Sequence, residues 1–178
     1  MNQRESDVGI EEYRAFIASK APPSLARGSK PANVTPHAKE HQRVVIEFAL
    51  NMGSSAVFCD TGLGKSLIEI DFARQVAEET GKPSLILTPL AVAGQMVREG
   101  QKFGIDVRKI REQSEVGAGV MVANYERLPK LDPSAFGAIV LDESGILKSF
   151  GGKTSSALCS AFRETRFKLA ATDRKSVV

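Results

Sequence analysis

Cysteine is scarce in this chain of 178 residues: there are two, Cys59 and Cys159, far apart in sequence. They make neither a metal-binding motif nor a disulfide framework, and a reducing compartment is the natural setting. No secretory leader is expected, because "MNQRESDVGIEEYRAF" is polar and charged from its first residues. No apolar run approaches the roughly 20 residues that a membrane-spanning helix needs. Internal repeats and low-complexity tracts are absent too. Neither sign of charge dominates: 24 Lys+Arg stand against 21 Asp+Glu, a formal net charge of +3. That balance permits a nucleic-acid partner without arguing for one. These absences set aside a secreted disulfide scaffold, a membrane protein and a zinc module. A cytoplasmic globular protein is expected. Its 42% hydrophobic content and its length suit one domain with a real core.

What is present is the stretch "CDTGLGKS", Cys59 to Ser66. The apolar "AVF" precedes it and "LIEIDFARQVAEE" follows, an order that reads as strand, tight loop and helix. Gly62 and Gly64 would let backbone N–H groups approach phosphate oxygens, with the positive end of the following helix aimed at the same place. Lys65 would reach the β- and γ-phosphates, and the Ser66 hydroxyl would bind Mg²⁺. The strict pattern begins with glycine, where this chain has Cys59, read here as a packing residue.

The rest of the chain supplies a setting. A short helix is expected over Ile10–Lys20, then a Pro/Gly/Ser linker over Ala21–Pro36. A helix from about His37 to Asn51 should turn Val44, Val45, Phe48 and Ala49 inward and end at Gly53. Five apolar runs follow: Ala56–Asp60, Ser84–Thr88, Gly119–Asn124, Ala138–Asp142 and Phe167–Thr172. Their interiors do not alternate, as befits strands buried on both faces. Helical stretches at Lys65–Thr80, Ala91–Phe103 and Thr154–Arg163 separate most of them. The fold class expected is α/β, a mostly parallel sheet flanked by helices.

"AIVLDES" ends an apolar strand in two carboxylates. Asp142 should emerge at the carboxyl edge of the sheet, where ligands bind, and could hold Mg²⁺ through water. Glu143 could orient and deprotonate an attacking water. Joined with Lys65 and Ser66, this reads as a site that hydrolyses a nucleoside triphosphate.

Longer motifs carry a resemblance. "HQRVVIEFAL", "DTGLGKS", "LILTPLAVAGQMVREGQKFG", "VMVANYERL", "VLDESGILKS" and "FKLAAT" follow one another in the order and spacing of helicase motifs. From about Pro36 to Thr172 the chain resembles the first RecA-like domain of superfamily 2 helicases. More narrowly, it is similar to the Swi/Snf-related, DEAD/DEAH-box-like helicases common in phage genomes. The resemblance implies an ATPase that acts on nucleic acid, with DNA favoured over RNA, in a bacterial or phage-infected cell, as a monomer using ATP and Mg²⁺. It implies Gln42, Thr61, Gly62, Leu63, Gly64, Lys65 and Ser66 as the nucleotide-binding set. Ser66 and Asp142 would hold the metal, and Lys65 and Glu143 would be catalytic. Thr88, Pro89, Asn124 and Tyr125 would face nucleic acid. Read without the family, Gln42 is a surface glutamine, Thr88–Pro89 a turn, and Asn124–Tyr125 a cap. Arg98, Lys102, Arg108, Lys109 and Arg111 read as a solvated face or as nucleic-acid contacts. A non-helicase P-loop enzyme such as a nucleotide kinase, and a domain that binds without turnover, remain the alternative readings.

The sequence departs from the family in two places. Motif II has Ser144 and Gly145 where the family usually ends in His or Asp, and motif III runs into "TDRKSVV" in place of a Thr-Pro ending. The family's second RecA-like domain, which supplies arginines to the site, is expected to be missing, because the sequence stops after one α/β domain. "DRKSVV" resembles a translated sequencing adapter, so residues 173–178 are expected to be a non-native tail.

Overall fold

In a computed structural model, residues 27–60, 62–145, 156 and 158–173 are described. The helix expected over Ile10–Lys20, residue Thr61, and parts of the helix expected over Thr154–Arg163 lie outside them. Of that last stretch, residues 158–161 are helical.

The described residues form helix α1 (Glu40–Met52), strand β1 (Ser54–Cys59), helix α2 (Lys65–Thr80), strand β2 (Ser84–Thr88) and helix α3 (Ala93–Lys102). Strands β3 (Val107–Lys109), β4 (Val120–Asn124), β5 (Ala138–Leu141) and β6 (Phe167–Asp173) follow. They join in one six-stranded sheet of order β1-β6-β5-β2-β4-β3. Every pairing is parallel. The last strand thus sits between β1 and β5, with Ala170 opposite Leu141 and Phe58 opposite Thr172. This order brings the loop after β1 and the turn after β5 to one sheet edge, on either side of β6.

Strands β2 and β4 are buried at all five positions, which requires cover on both faces. Alternate residues go to opposite sides. Ile86, Val122, Val140 and Leu169 pack with Ile46, Phe72, Val76 and Met96 under the three helices. Leu85, Leu87, Met121 and Ile139 pack with Tyr125, Phe136, Leu158 and Phe162 on the other face. The second face is covered largely by short 3₁₀ turns, Tyr125–Lys130 and Pro133–Ala135 among them.

Three sequence expectations need correction. Strand β3 was not expected: it has three residues, and Arg108 and Lys109 on it are exposed, so no apolar run marks it. Among the described strands β1 lies at the edge, with Ser54, Ala56 and Phe58 exposed, not buried on both faces. On α1, Ala49 is buried as expected and Val45 packs against the core, but Val44 and Phe48 are 56% and 52% exposed, and Gln42, Ile46 and Leu50 are buried in their place. The inward face of α1 starts from Gln42, which is held at the phosphate loop. Gly53 does end α1, with φ 71°.

Residues 27–36 are tied to the domain. Gly28 and Ser29 donate to the carbonyls of Asn51 and Leu50. Thr35 N–H donates to Asp71 Oδ2 at 3.3 Å, and Arg74 bridges Asp71, Glu78 and the Asn33 carbonyl. Asp71 is fully buried and also accepts from Gln75. Replacing it leaves the half-buried Arg74 with a broken network and the Thr35 amide without its acceptor. Asp71→Ala is therefore expected to cost about 3–5 kcal/mol, the range for removing one partner of a buried pair. Urea denaturation with an unchanged m-value is the check.

Candidate functional site

The loop after β1 turns on two glycines in left-handed conformations, Gly62 at φ 89° and Gly64 at φ 74°. Besides its backbone conformation, a Cβ at Gly64 would stand 2.3 Å from Gln42 Nε2, so the glutamine would have to give up its hold on the loop. Gly64 is also the N-cap of α2, so no side chain caps that helix, and its first turn carries no acid. A helix N-terminus without a protein anion, approached through glycine, suits a bound anion.

Gln42 explains why the loop holds this form. Its Nε2 donates to the carbonyls of Leu63 at 3.0 Å and Gly64 at 3.3 Å, and its Oε1 accepts from Lys39 N–H at 2.9 Å. The side chain clasps the loop and closes the first turn of α1 together. Gln42 is buried, not a surface glutamine.

A cleft of about 520 Å³ opens between this loop and helix α3, with His37, Lys39, Gln42, Leu63, Lys65, Ser66, Gln95 and Phe103 in its wall. That volume lies in the range of small-molecule sites. Across the loop stands the turn after β5. Asp142 N–H donates to Leu87 O at 2.9 Å, and the Tyr125 hydroxyl donates to Asp142 O at 2.7 Å. With Asp142 pinned on both sides, Glu143 takes φ 53°, the one positive φ outside glycine among the described residues. Such backbone is costly and persists where surrounding structure imposes it. Glu143 Oε2 thereby comes 3.4 Å from Lys65 Nζ.

Electrostatically the site is crowded with acid. Burial pushes the Asp142 carboxyl up to about 6; Lys65 pulls it back, and Glu143 adds to the rise. Glu69, on α2, is raised well above the usual carboxylate range, first by burial and then by Asp142. Burial raises the Tyr125 phenol as well, helped by Asp142, Glu69 and Glu143. Among the described residues no three acids gather as direct metal ligands, so a hard divalent cation here would rest on the Ser66 hydroxyl, the Asp142 carboxyl and water.

The sequence-derived residues divide as follows. Gln42, Gly62, Leu63, Gly64, Lys65, Ser66, Asp142 and Glu143 converge at the carboxyl edge of the sheet, and Thr61 lies outside the described residues. Of the four expected to face nucleic acid, Thr88, Asn124 and Tyr125 are buried. Thr88 Oγ1 donates to Pro89 O, and Tyr125 supports Asp142. The exposed groups there are Leu90 and, in part, Pro89. Cys59 is buried in the core at the end of β1. Ser144 and Gly145 continue the turn after Glu143, partly exposed. Sequence reasoning missed Glu69 and the supporting role of Tyr125. The signal for Glu69 was its spacing, one helical turn beyond Lys65 on the same face.

This sheet order, glycine loop and carboxylate turn define a parallel α/β domain of the RecA-like kind found in helicase motors. No protein-family model matches the chain, and no curated protein sequence matches it. Solved structures share the fold. The UvsW helicase of bacteriophage T4 superposes with a TM-score of 0.66 at 23% identity, covering 82% of this chain and 55% of that one. The Sulfolobus solfataricus SWI2/SNF2 ATPase core, solved with double-stranded DNA, gives 0.62 at 21% identity, over 81% of this chain and 33% of that one. A nuclease-deletion mutant of the type ISP restriction-modification enzyme LlaGI, solved with a DNA substrate mimic, gives 0.57 at 13% identity, over 76% and 17%. The chain therefore spans about half or less of the length of these proteins. No helix among the described residues is long and apolar enough to cross a membrane.

Proposed function

We propose that this domain binds ATP and hydrolyses it as the first half of a nucleic-acid-dependent helicase or translocase motor. The observation that carries the reading is the meeting of Lys65 and Glu143 at 3.4 Å across the mouth of a glycine loop that Gln42 holds in shape. A phosphate-binding cation and a candidate base then share one site, built from opposite sides of β6. Lys65 and the α2 N-terminus receive the phosphates. Gln42, in the wall of the cleft, would be the adenine contact. Ser66 and Asp142 would hold Mg²⁺, which when bound supplies charge neutralisation for the phosphates. Glu143 takes the proton of the attacking water. Nucleic acid would lie along the loops after β2 and β4, where Pro89 is partly exposed and the Thr88, Asn124 and Tyr125 side chains are buried. DNA is the partner favoured by the two DNA-bound structures that share the fold.

Lys65→Ala tests the nucleotide site. The loss of even two charge-assisted hydrogen bonds removes about 3 kcal/mol, so ATP binding should weaken roughly a hundredfold or more. Equilibrium titration with a fluorescent ATP analogue measures it, and parent-like binding by the variant would sink the assignment. Assays of hydrolysis with and without single-stranded DNA separate a motor from a kinase or a binding-only domain.

A further inference from the structure

Gln42 holds the phosphate loop with a side chain whose hydrogen-bonding capacity is nearly all engaged. A glutamine amide has two N–H donors and one oxygen with two lone pairs. Both donors are taken within the protein: Nε2 donates to Leu63 O at 3.0 Å and to Gly64 O at 3.3 Å. One lone pair of Oε1 accepts the Lys39 N–H at 2.9 Å. These partners also fix which end of the amide is which. Two carbonyls require the nitrogen and a backbone N–H requires the oxygen, so the amide cannot be turned over without losing all three bonds. What remains on Gln42 is one acceptor position and no donor.

That remainder belongs to the nucleotide cleft. Among the described residues Gln42 is the one buried polar side chain of the cleft wall, whereas Lys39, His41, Gln95 and Lys102 are exposed. Water can repair a mismatched hydrogen bond at an exposed group but not at a buried one, so a buried group discriminates. The wall also carries the Phe103 ring, with the His37 ring 5.9 Å from it and tilted by 44°. Ring contact of that sort accepts the flat face of any base. Selection between bases therefore falls to the acceptor left on Gln42. We infer that the cleft reads a nucleobase at one point, where Gln42 Oε1 accepts a hydrogen bond from an exocyclic amino group, and that Gln42 donates nothing to the purine N7. Adenine meets this requirement. Hypoxanthine, with a carbonyl oxygen in place of the amino group, sets acceptor against acceptor and is refused. This rests on the nucleotide reading above and adds to it the class of base and the atom by which it is recognised.

Competition against a ribose-labelled fluorescent ATP tests it on the full 178-residue chain. The competitors are ATP, inosine triphosphate, 7-deaza-ATP and inorganic tripolyphosphate. Inosine triphosphate should bind roughly ten- to a hundredfold more weakly than ATP, the range for a buried acceptor left unmet. 7-Deaza-ATP should match ATP within about twofold, whereas a lost hydrogen bond at N7 would cost about tenfold. In Gln42→Ala the preference for ATP over inosine triphosphate should fall to about one, however much the loosened loop weakens both. That ratio separates reading the base from holding the loop, and the comparisons on the parent chain need no folded variant. Equal binding of ATP and inosine triphosphate by the parent overturns the inference alone. So does a tenfold loss with 7-deaza-ATP, or a preference that survives Gln42→Ala. A parent chain that binds neither the labelled ATP nor tripolyphosphate overturns the nucleotide reading, and this inference with it.

Discussion

Glu143→Gln should retain ATP and lose hydrolysis by about 10²- to 10⁴-fold, the usual worth of a positioned general base. The amide keeps the size of the side chain and its unusual backbone conformation but cannot take a proton from water. Binding should survive for a separate reason. Glu143 Oε2 lies 3.4 Å from Lys65 Nζ, so in the nucleotide-free protein the carboxylate competes with phosphate for that cation. Removing its charge releases Lys65 to the nucleotide. The pair is partly open to solvent, with side-chain exposures of 17% and 34%, so the competition is worth about 1 kcal/mol or less. Affinity should rise by less than about tenfold on that scale. Single-turnover hydrolysis beside equilibrium binding measures both effects. Equal losses in the two would show that Glu143 builds the site and does not act as its base.

A still larger effect is expected from an arginine that the described site lacks. In related phosphoryl-transfer enzymes an arginine on the transferring phosphate contributes roughly 10³ to 10⁵ in rate. Arg163 and Arg166 lie close to β6 in sequence, but Arg166 donates to the carbonyls of Arg27 and Gly28 beside Phe167, at the start of the strand. The phosphate loop is at the far end, beyond Thr172. Five residue steps along a strand span roughly 16 Å, out of reach for an arginine side chain. The resemblance to two-domain motors assigns that arginine to a second RecA-like domain. The 178-residue chain alone should therefore hydrolyse ATP roughly 10³- to 10⁵-fold more slowly than a two-domain helicase in the same assay, with little response to single-stranded DNA. Phosphate release measured side by side with T4 UvsW checks this. Robust DNA-stimulated turnover from this chain, abolished by Glu143→Gln, would show that it completes its own site.

Much of this arrangement was legible in the sequence because it depends on local signals. Apolar runs gave five of the six strands, and Lys65–Thr80 is helical over the whole expected range. The position of β6 between β1 and β5 is not marked by the runs themselves. What escaped depends on tertiary neighbours. Nothing in "VRK" marks a strand, because β3 owes its pairing to Val120–Val122 alongside. On α1, Ala49 was read correctly, but Val44 and Phe48 were not, because a buried glutamine fixed by two carbonyls of another loop sets the inward face. Thr88, Asn124 and Tyr125 were turned toward nucleic acid by the family resemblance alone, which carries no information on their burial. The structure buries all three and directs the Tyr125 hydroxyl to the Asp142 carbonyl.

The sheet order also sets a schedule for synthesis. β1 is made early, yet among the described strands its neighbour is β6, and Ser54 must find Lys168 more than a hundred residues later. Until β6 leaves the ribosome, β2, β4 and β5 can assemble while β1 and the glycine loop wait unpaired. Non-local parallel pairing of this kind is slow and leaves strand edges open to wrong partners. The nucleotide cradle, encoded first, is thus among the last parts of the domain to take shape.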